Sequence, residues 1–332
     1  MSRTARIALS VALSAVFLVF AVRNVDWHEA IAALAAAHYV YTVPLAAVTV
    51  WSLYIRAQRW RILLRPVGTP HMRTLVAATN IGFMANVVLP LRIGEVIRPV
   101  FVSRKEQEPL GGILATIVLE RIFDMVSILL LFGLAASIVP VSADVRSWGY
   151  RFFALALSLA AGAAFVRWQE ALALKILQLL LRPLPETLAH PIDHFFRGFV
   201  QALEILDSPR TFLLILGWSI YLWLVISGIY LLGLLQFDLP VPLIVGGIVV
   251  NAVVAIAVAV PSAPGGIGAF QLGCILSLAV FGVSESRAIA YSIAVQVTQI
   301  VAVIAAGLYS LTREGMTMQQ MEKLSETDGA AA

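Results

Sequence analysis

The chain contains apolar runs that are long enough to cross a membrane and too long for an ordinary soluble domain. The run from Phe212 to Leu235 is one, and others lie at about 39–55, 112–139 and 287–311. A helix needs roughly 20 apolar residues to cross the hydrocarbon core of a bilayer. Only 13% of the 332 residues are charged, against about 25% in soluble domains. These runs predict an all-α polytopic membrane protein.

Basic residues indicate which ends of the runs face the cytoplasm, where membrane proteins collect Lys and Arg. The first run, at about 7–22, follows Arg3 and Arg6 and lacks a clean cleavage pattern, so we interpret it as a retained span. After the second run, residues 56–73 contain five arginines and no acidic residue. The N-terminus and this segment are therefore predicted to be cytoplasmic, as is the C-terminus, which follows Arg313.

The sequence NVVLPLRIGEVIRP, at residues 86–99, interrupts an apolar region with two prolines and three charged residues. Proline lacks a backbone donor, and non-helical backbone at membrane depth is tolerated only inside protein or beside water. A full crossing here would place Arg104 and Lys105 outside the cell. A re-entrant helical hairpin over about 75–104 keeps them inside and is the preferred prediction.

Three charged residues in this interruption lie at helical spacing. Arg92, Glu95 and Arg98 are three residues apart, so on a helix they share one face. Glu95 can neutralise one arginine, which leaves the other guanidinium free to bind phosphate or carboxylate. The spacing does not decide which arginine is free. The alternative is that all three residues flank a cytoplasmic loop.

The next apolar run contains the charged sequence LERIFD. Glu120, Arg121 and Asp124 cannot all face lipid, because ionisable groups there are costly. Two interpretations remain open. The residues contact a substrate directly, or they form structural ion pairs that join this span to Arg92 or Arg98.

A second interruption, PSAPGGIGAFQ at residues 261–271, lies between two apolar arms and predicts a second broken hairpin over about 241–282. A helix restarting near Ile267 would direct its free N–H groups into a cavity, where they could bind anionic oxygens. The alternative is a kink that serves packing only. The candidate binding residues in this stretch are Gly265, Gly266, Gly268 and Gln271.

The sequence RAQRWRILLRP follows the second run. Its simplest interpretation is the cytoplasmic end of a span, with Trp60 as an anchor in the membrane interface. The alternative is that Arg56, Arg59 and Arg61 capture a lipid headgroup at the cytoplasmic mouth.

The order of runs and interruptions suggests two related halves, 1–139 and 140–313. Each half is predicted to contain three spans and one broken hairpin, so the second half begins on the opposite side of the membrane. Such inverted repeats occur in many secondary transporters. Residues 167–210 are predicted to form cytoplasmic amphipathic helices, and 314–332 a disordered cytoplasmic tail.

Several kinds of site are not expected. The single cysteine, Cys274, lies in an apolar run, and no multi-cysteine metal site can form. No catalytic constellation is visible in the apolar runs, and no basic soluble domain exists to bind nucleic acid. We therefore expect no cofactor, no metal, no nucleic-acid partner and no enzymatic activity.

Four motifs in order resemble the flippase-like transmembrane region of lysylphosphatidylglycerol synthases: RWRILL, NVVLPLRIGEVIRP, ERIFD and PSAPGGIGAFQ. The resemblance extends over roughly 5–312 and implies a stand-alone member without the synthase domain. It also implies movement of a lipid headgroup across the bacterial cytoplasmic membrane. The family's polar residues fall on Asn86, Arg92, Glu95, Arg98, Glu120, Arg121 and Asp124. One departure is Gln271, where the family often has an acidic residue.

The resemblance favours a transporter for a membrane lipid with an anionic or polar headgroup, and three alternatives remain. The first is a small-solute secondary transporter, which the repeats and buried carboxylates fit equally well. The second is a non-transporting partner of a lipid- or glycan-modifying enzyme, docking through 167–210. The third is a membrane-embedded transferase that uses Glu120 or Asp124 as its acid/base group. The oligomeric state is not predicted.

Overall fold

The computed structural model describes the following residues, together with isolated positions between 147 and 162: 17–89, 92–138, 165–182, 185–259, 264–318 and 320–321. Their regular structure is helical. We number the helices α1 (Trp27–Ala36), α2 (Thr42–Leu63), α3 (Met72–Val88), α4 (Gly94–Glu106), α5 (Leu110–Ile138), α6 (Glu170–Leu181), α7 (Glu186–Leu203), α8 (Pro209–Gln236), α9 (Leu243–Ala259), α10 (Ala269–Ala279) and α11 (Glu285–Arg313).

Within the described part of the chain, three helical segments are long and apolar enough to cross a membrane: Tyr39–Leu63, Pro209–Gln236 and Glu285–Arg313. The last two each follow an N-cap serine, a local signal in the sequence for the start of a helix. The Ser208 hydroxyl accepts a hydrogen bond from the Thr211 N–H at the start of α8, and the Ser284 hydroxyl accepts one from the Arg287 N–H at the start of α11. Helix α5 has 29 residues as well, but it carries charges in its interior. These helices confirm the all-α polytopic membrane fold.

Helix α2 is longer than the predicted second span. It continues through the arginine-rich sequence to Leu63, so Arg56 and Arg59 lie within the helix and not in a loop after it. Arg59 is fully buried, and carboxylates on a neighbouring helix surround it. The helix can therefore continue, because these charges face protein and avoid lipid.

Two pairs of short helices occupy the regions predicted to be broken hairpins. The α3–α4 pair and the α9–α10 pair are each closely packed, and each helix has at most 17 residues. Helices of this length fall short of the roughly 20 residues needed for a crossing. Pro90 and Pro261 lie outside the described residues. The re-entrant placement of the pairs stays a prediction.

The helices of the first half contact the bundle in the same pattern as those of the second half, if α2, α3, α4 and α5 are taken to correspond to α8, α9, α10 and α11. Helix α3 packs against α11 as α9 packs against α5, and α2 packs against α11 as α8 packs against α5. Likewise α4 packs against α5 as α10 packs against α11. The corresponding helices α2 and α8 pack against each other. Two repeats related by a two-fold axis would give this pattern. Their inverted orientation stays a prediction.

Replacing Gly94 with alanine is expected to destabilise the α3–α4 pair, because the added Cβ would lie 1.9 Å from the Gly82 carbonyl oxygen. Relief requires a backbone shift, and overpacking costs about 1–3 kcal/mol. The measurement is thermal unfolding of the detergent-purified protein. Gly133→Ala is the control, since no described atom lies within 4 Å of its added Cβ. Alanine there favours the helix by about 1 kcal/mol. Equal melting temperatures for the two variants would contradict this packing.

The predicted peripheral segments are partly described. Of the first predicted span, residues 17–22 are helical and 7–16 lie outside the described residues, and the span at about 152–166 is described only at isolated positions. In the amphipathic segment, α7 packs against α5. The tail predicted to be disordered from residue 314 is ordered at its start, because Met321 is fully buried in the core. Residues 322–332 lie outside the described residues.

Candidate functional site

A cavity of about 310 Å³, which we call the chamber, lies between the two pairs of broken helices. Helices from both halves form its wall. The turn at Pro264–Gly266, which precedes α10, closes part of it and packs against α3. Six of the predicted binding residues line the chamber: Asn86, Arg92, Glu95, Arg121, Gly265 and Gly266. Segments that are far apart in sequence therefore contribute to one half-open site.

The chamber wall carries more positive than negative charge. Its described ionisable side chains are those of Arg56, Arg92, Arg121 and Glu95, whose formal charges sum to +2. Glu95 is bonded to Arg121, because Nη2 of Arg121 lies 2.9 Å from both Glu95 carboxylate oxygens. The predicted pairing of Glu95 with Arg92 or Arg98 is therefore not the one found.

Arg92 and Arg56 hold the excess charge. Arg92 has a left-handed backbone conformation, with φ of 53°, and its guanidinium donates to the Val258 carbonyl oxygen near the end of α9. For Arg56, the nearest carboxylate oxygen is Oδ2 of Asp124, 4.0 Å from its Nη1. The Arg56 guanidinium also lies over the Phe83 ring, 4.9 Å from its centroid. Among the described residues, no carboxylate forms a hydrogen bond with either guanidinium.

A second set of charges, the inner network, lies beside the chamber and consists of Arg59, Arg98, Glu120 and Asp124. Glu120 lies between two guanidiniums, at 3.2 Å from Arg59 Nη2 and 3.1 Å from Arg98 Nη2. Arg59 Nη1 is 2.5 Å from Asp124 Oδ1 and donates to the Ser219 hydroxyl at 3.0 Å. All four side chains are buried and their formal charges cancel. Arg98 is therefore engaged in a structural ion pair, and of Arg92 and Arg98 it is Arg92 that lines the chamber.

The position of Trp60 differs from the predicted interface anchor. Its side chain is fully buried, its Nε1–H donates to the Thr116 hydroxyl at 2.9 Å, and the Arg98 guanidinium stacks on its ring at 3.8 Å. Cation–π stacking stabilises a buried guanidinium that leaves water. The predicted headgroup capture at a cytoplasmic mouth is also incompatible with the buried position of Arg59, whereas Arg61 is exposed.

The second interruption is fixed by a chain of amide hydrogen bonds. The Gly268 N–H donates to Oε1 of Gln271 at 2.7 Å, Nε2 of Gln271 donates to Oε1 of Gln296 at 2.5 Å, and Nε2 of Gln296 donates to the Gly265 carbonyl at 3.0 Å. Gly265, Gly266 and Gly268 have φ values of 71°, 74° and 88°, which glycine adopts without strain. The Gly268 N–H and the Gln271 side chain are thus bonded within the protein and do not line the chamber.

Sequence reasoning missed several chamber residues. Arg56 was assigned to the cytoplasmic mouth, and seven other polar or aromatic residues were not identified: Phe83, Trp223, Tyr230, Asn251, Phe270, Gln296 and Gln299. A signal for the glutamines existed, because they are three residues apart in an apolar span and share one helix face. The indole of Trp223 offered no such signal. Its N–H donates to Asp124 Oδ1 at 3.0 Å, a contact that only the crossing of α8 and α5 creates.

A largely apolar groove of about 530 Å³ runs between α5 and α9 and adjoins the chamber. Aliphatic and methionine side chains line it, among them Val118, Met125, Ile128 and Ile256. The groove and the chamber share wall residues, including Arg92, Glu95, Arg121 and Trp223. A charged interior chamber therefore lies directly beside an apolar surface between two helices.

The fold and the chamber define a class of polytopic helical membrane proteins in which two pairs of short helices flank a half-open cavity with a positively charged wall. The chain belongs to the family described as lysylphosphatidylglycerol synthase TM region, whose family model matches residues 7–307. This match confirms the resemblance seen in the sequence. No curated protein and no solved structure matches the chain.

Proposed function

We propose that this protein is a transporter that moves a lipid with an anionic headgroup across the cytoplasmic membrane of a bacterium. The observation that carries the proposal is the pair Arg56 and Arg92, whose side chains line the half-open chamber. Charged groups at membrane depth are costly and usually face a partner or a cavity. A phosphate would give both guanidiniums an anionic hydrogen-bond partner, which the Asp124 contact at 4.0 Å from Arg56 and the Val258 carbonyl at Arg92 do not supply.

The apolar groove supports a lipid over a small solute. A phospholipid has a polar headgroup joined to acyl chains, and here a polar chamber adjoins an apolar groove through a shared wall. A solute site needs no such groove. We therefore propose a membrane lipid as the partner, with its headgroup in the chamber and an acyl chain along α5 and α9.

The contacts of the carboxylates support transport over a transferase reaction. Glu120 is held between two arginines, and Asp124 accepts hydrogen bonds from Arg59 and the Trp223 indole. A general acid or base must be within reach of its substrate. Both carboxylates are instead paired with protein side chains; Glu120 is fully buried, and Asp124 borders the apolar groove and not the chamber.

The proposed mechanism is movement of the two halves around the chamber. The exchangeable helix contacts suit alternating access, in which repeats rock about a central site. The contact between Arg92 and the Val258 carbonyl joins the two broken pairs directly. A phosphate that competes for Arg92 would loosen this contact, so substrate binding would favour the movement.

Reconstitution into vesicles tests the proposal. We expect the purified protein to move fluorescent acyl-labelled phosphatidylglycerol between leaflets faster than protein-free vesicles do, measured by reduction of the outer-leaflet fluorophore with dithionite. Phosphatidylcholine, whose net charge is zero, should move more slowly because it is less attracted to the chamber. Rates equal to those of protein-free vesicles for every anionic lipid tried would refute transport.

A further inference from the structure

We infer that Glu95 acts as a built-in anion, which pairs with Arg121 until the headgroup of the substrate displaces it. This inference rests on the proposed function and assigns Glu95 a role in the transport cycle. Glu95 is in this sense a positioning residue. It sets how tightly Arg121 holds the headgroup and how readily Arg121 releases it.

The contact between Glu95 and Arg121 is the one that an anionic headgroup would make. Nη2 of Arg121 donates to both Glu95 carboxylate oxygens, each at 2.9 Å. Carboxylate and phosphate oxygens accept the same charge-assisted hydrogen bonds from a guanidinium. Among the described residues that line the chamber, Glu95 is the only one with a carboxylate. A headgroup that binds Arg121 must therefore compete with Glu95.

The pair lies where a lipid would reach it. Glu95 and Arg121 belong to the wall that the chamber shares with the apolar groove, and both side chains are partly exposed. Glu120 differs in this respect, because it is fully buried between two guanidiniums of the inner network. No headgroup could replace Glu120 without opening that network. Of these two glutamates, Glu95 is therefore the displaceable one.

Both partners stay stabilised when the pair separates. Nη1 of Arg121 lies 3.6 Å from Oδ2 of Asp124, one helical turn further along α5, so this contact keeps the guanidinium in place. Glu95 is the second residue of α4, and a negative charge in the first turn of a helix is stabilised by the helix dipole. Glu95 and a headgroup can therefore alternate at Arg121.

This competition has two opposite consequences for transport. It weakens binding of the headgroup, since the headgroup must replace a charge-assisted hydrogen bond that is already made. It also speeds release, since Glu95 returns to Arg121, and changes of affinity at one site reside mostly in the dissociation rate. Removing the charge of Glu95 should therefore tighten binding and slow release.

The test is Glu95→Gln, which keeps the shape of the side chain and removes its charge. The full-length protein in detergent should bind fluorescent acyl-labelled phosphatidylglycerol about fivefold more tightly, because an amide oxygen competes less well than a carboxylate. The maximal translocation rate, measured with dithionite in vesicles of increasing phosphatidylglycerol content, should fall about threefold because release is slower. Glu95→Asp, which retains the charge, should resemble the wild type more closely in both measurements.

Glu314→Gln is the matched control. It makes the same substitution in another partly exposed glutamate, whose carboxylate pairs with Lys105 outside the chamber. Its affinity and its maximal rate should equal those of the wild type. The melting temperature checks that Glu95→Gln is folded. If it is not, Glu95→Ala removes the same charge, and the same two directions of change are expected.

The outcomes separate this inference from the proposed function. Weaker binding by Glu95→Gln would make Glu95 a direct ligand or a structural residue, and unchanged binding would place the headgroup away from Arg121. Either result would overturn the inference and leave the lipid transporter standing. Tighter binding without a slower maximal rate would overturn the return of Glu95 to Arg121. A wild-type protein that neither binds nor moves any anionic lipid would refute the proposed function, and this inference with it.

Discussion

Replacing Glu120 with alanine is expected to lower the free energy of unfolding by about 3–5 kcal/mol, the usual loss when one member of a buried ion pair is removed. Glu120 is fully buried, and its carboxylate compensates the charges of Arg59 and Arg98. Without it, two guanidiniums from α2 and α4 face each other in the interior of the bundle. The measurement is chemical or thermal unfolding of the detergent-purified protein, and loss of folded protein on expression would agree with it.

The matched control is Glu95→Ala, which also removes a glutamate that contacts an arginine. The Glu95–Arg121 pair is partly exposed, with 32% and 44% of the side-chain surfaces accessible. Because Arg121 keeps a second carboxylate, that of Asp124 at 3.6 Å, the loss should be smaller than for Glu120 and this variant should remain folded. Similar losses of stability in the two variants would contradict the distinction between the inner network and the chamber wall.

The second large effect is expected for Arg92→Gln, which should slow translocation of an anionic lipid about 10- to 100-fold while the protein stays folded. Hydrogen bonds to charged groups contribute about 1.5–3 kcal/mol, and glutamine removes the charge but keeps a donor. The side chain of Arg92 bonds to a backbone carbonyl and to no described carboxylate, so its loss leaves no buried carboxylate unpaired. The measurement is the dithionite assay in vesicles, with the melting temperature as a check on folding.

Arg73→Gln is the control for this variant. It removes the same charge from an exposed position at the start of α3, outside the chamber. It should keep the wild-type translocation rate. If Arg92→Gln also kept that rate, the chamber arginine would have no role in transport. If Arg73→Gln slowed transport as much, a general effect of surface charge would explain both results.

Much of the fold follows from the sequence because it depends on local composition. Apolar runs predict membrane helices, since every backbone polar group must be satisfied within the bilayer. The two interruptions predict breaks, and the structure has paired short helices in both places. The sequence predicted the second span to end at about residue 55, whereas α2 continues to Leu63. Composition alone cannot tell whether an arginine faces solvent or a buried carboxylate.

The sequence predicted some of the residues that line the chamber and did not predict how the charges pair. The sequence identified Arg92, Glu95, Arg98, Glu120 and Asp124 as charges that a membrane protein would not carry without a reason. Spacing suggested that Glu95 pairs with an arginine three residues away. Its actual partner, Arg121, is 26 residues away on α5.

The sequence by itself therefore determined that the chain is a helical membrane protein, where its helices break and which charges lie in its apolar regions. Only the tertiary structure decided that Arg98 belongs to the inner network and Arg92 to the chamber. The physical reason is that an ion pair forms where two helices bring opposite charges within a few ångströms in a medium of low dielectric constant. That proximity depends on how α2, α4, α5 and α8 pack, and the spacing of residues within any one helix does not contain it.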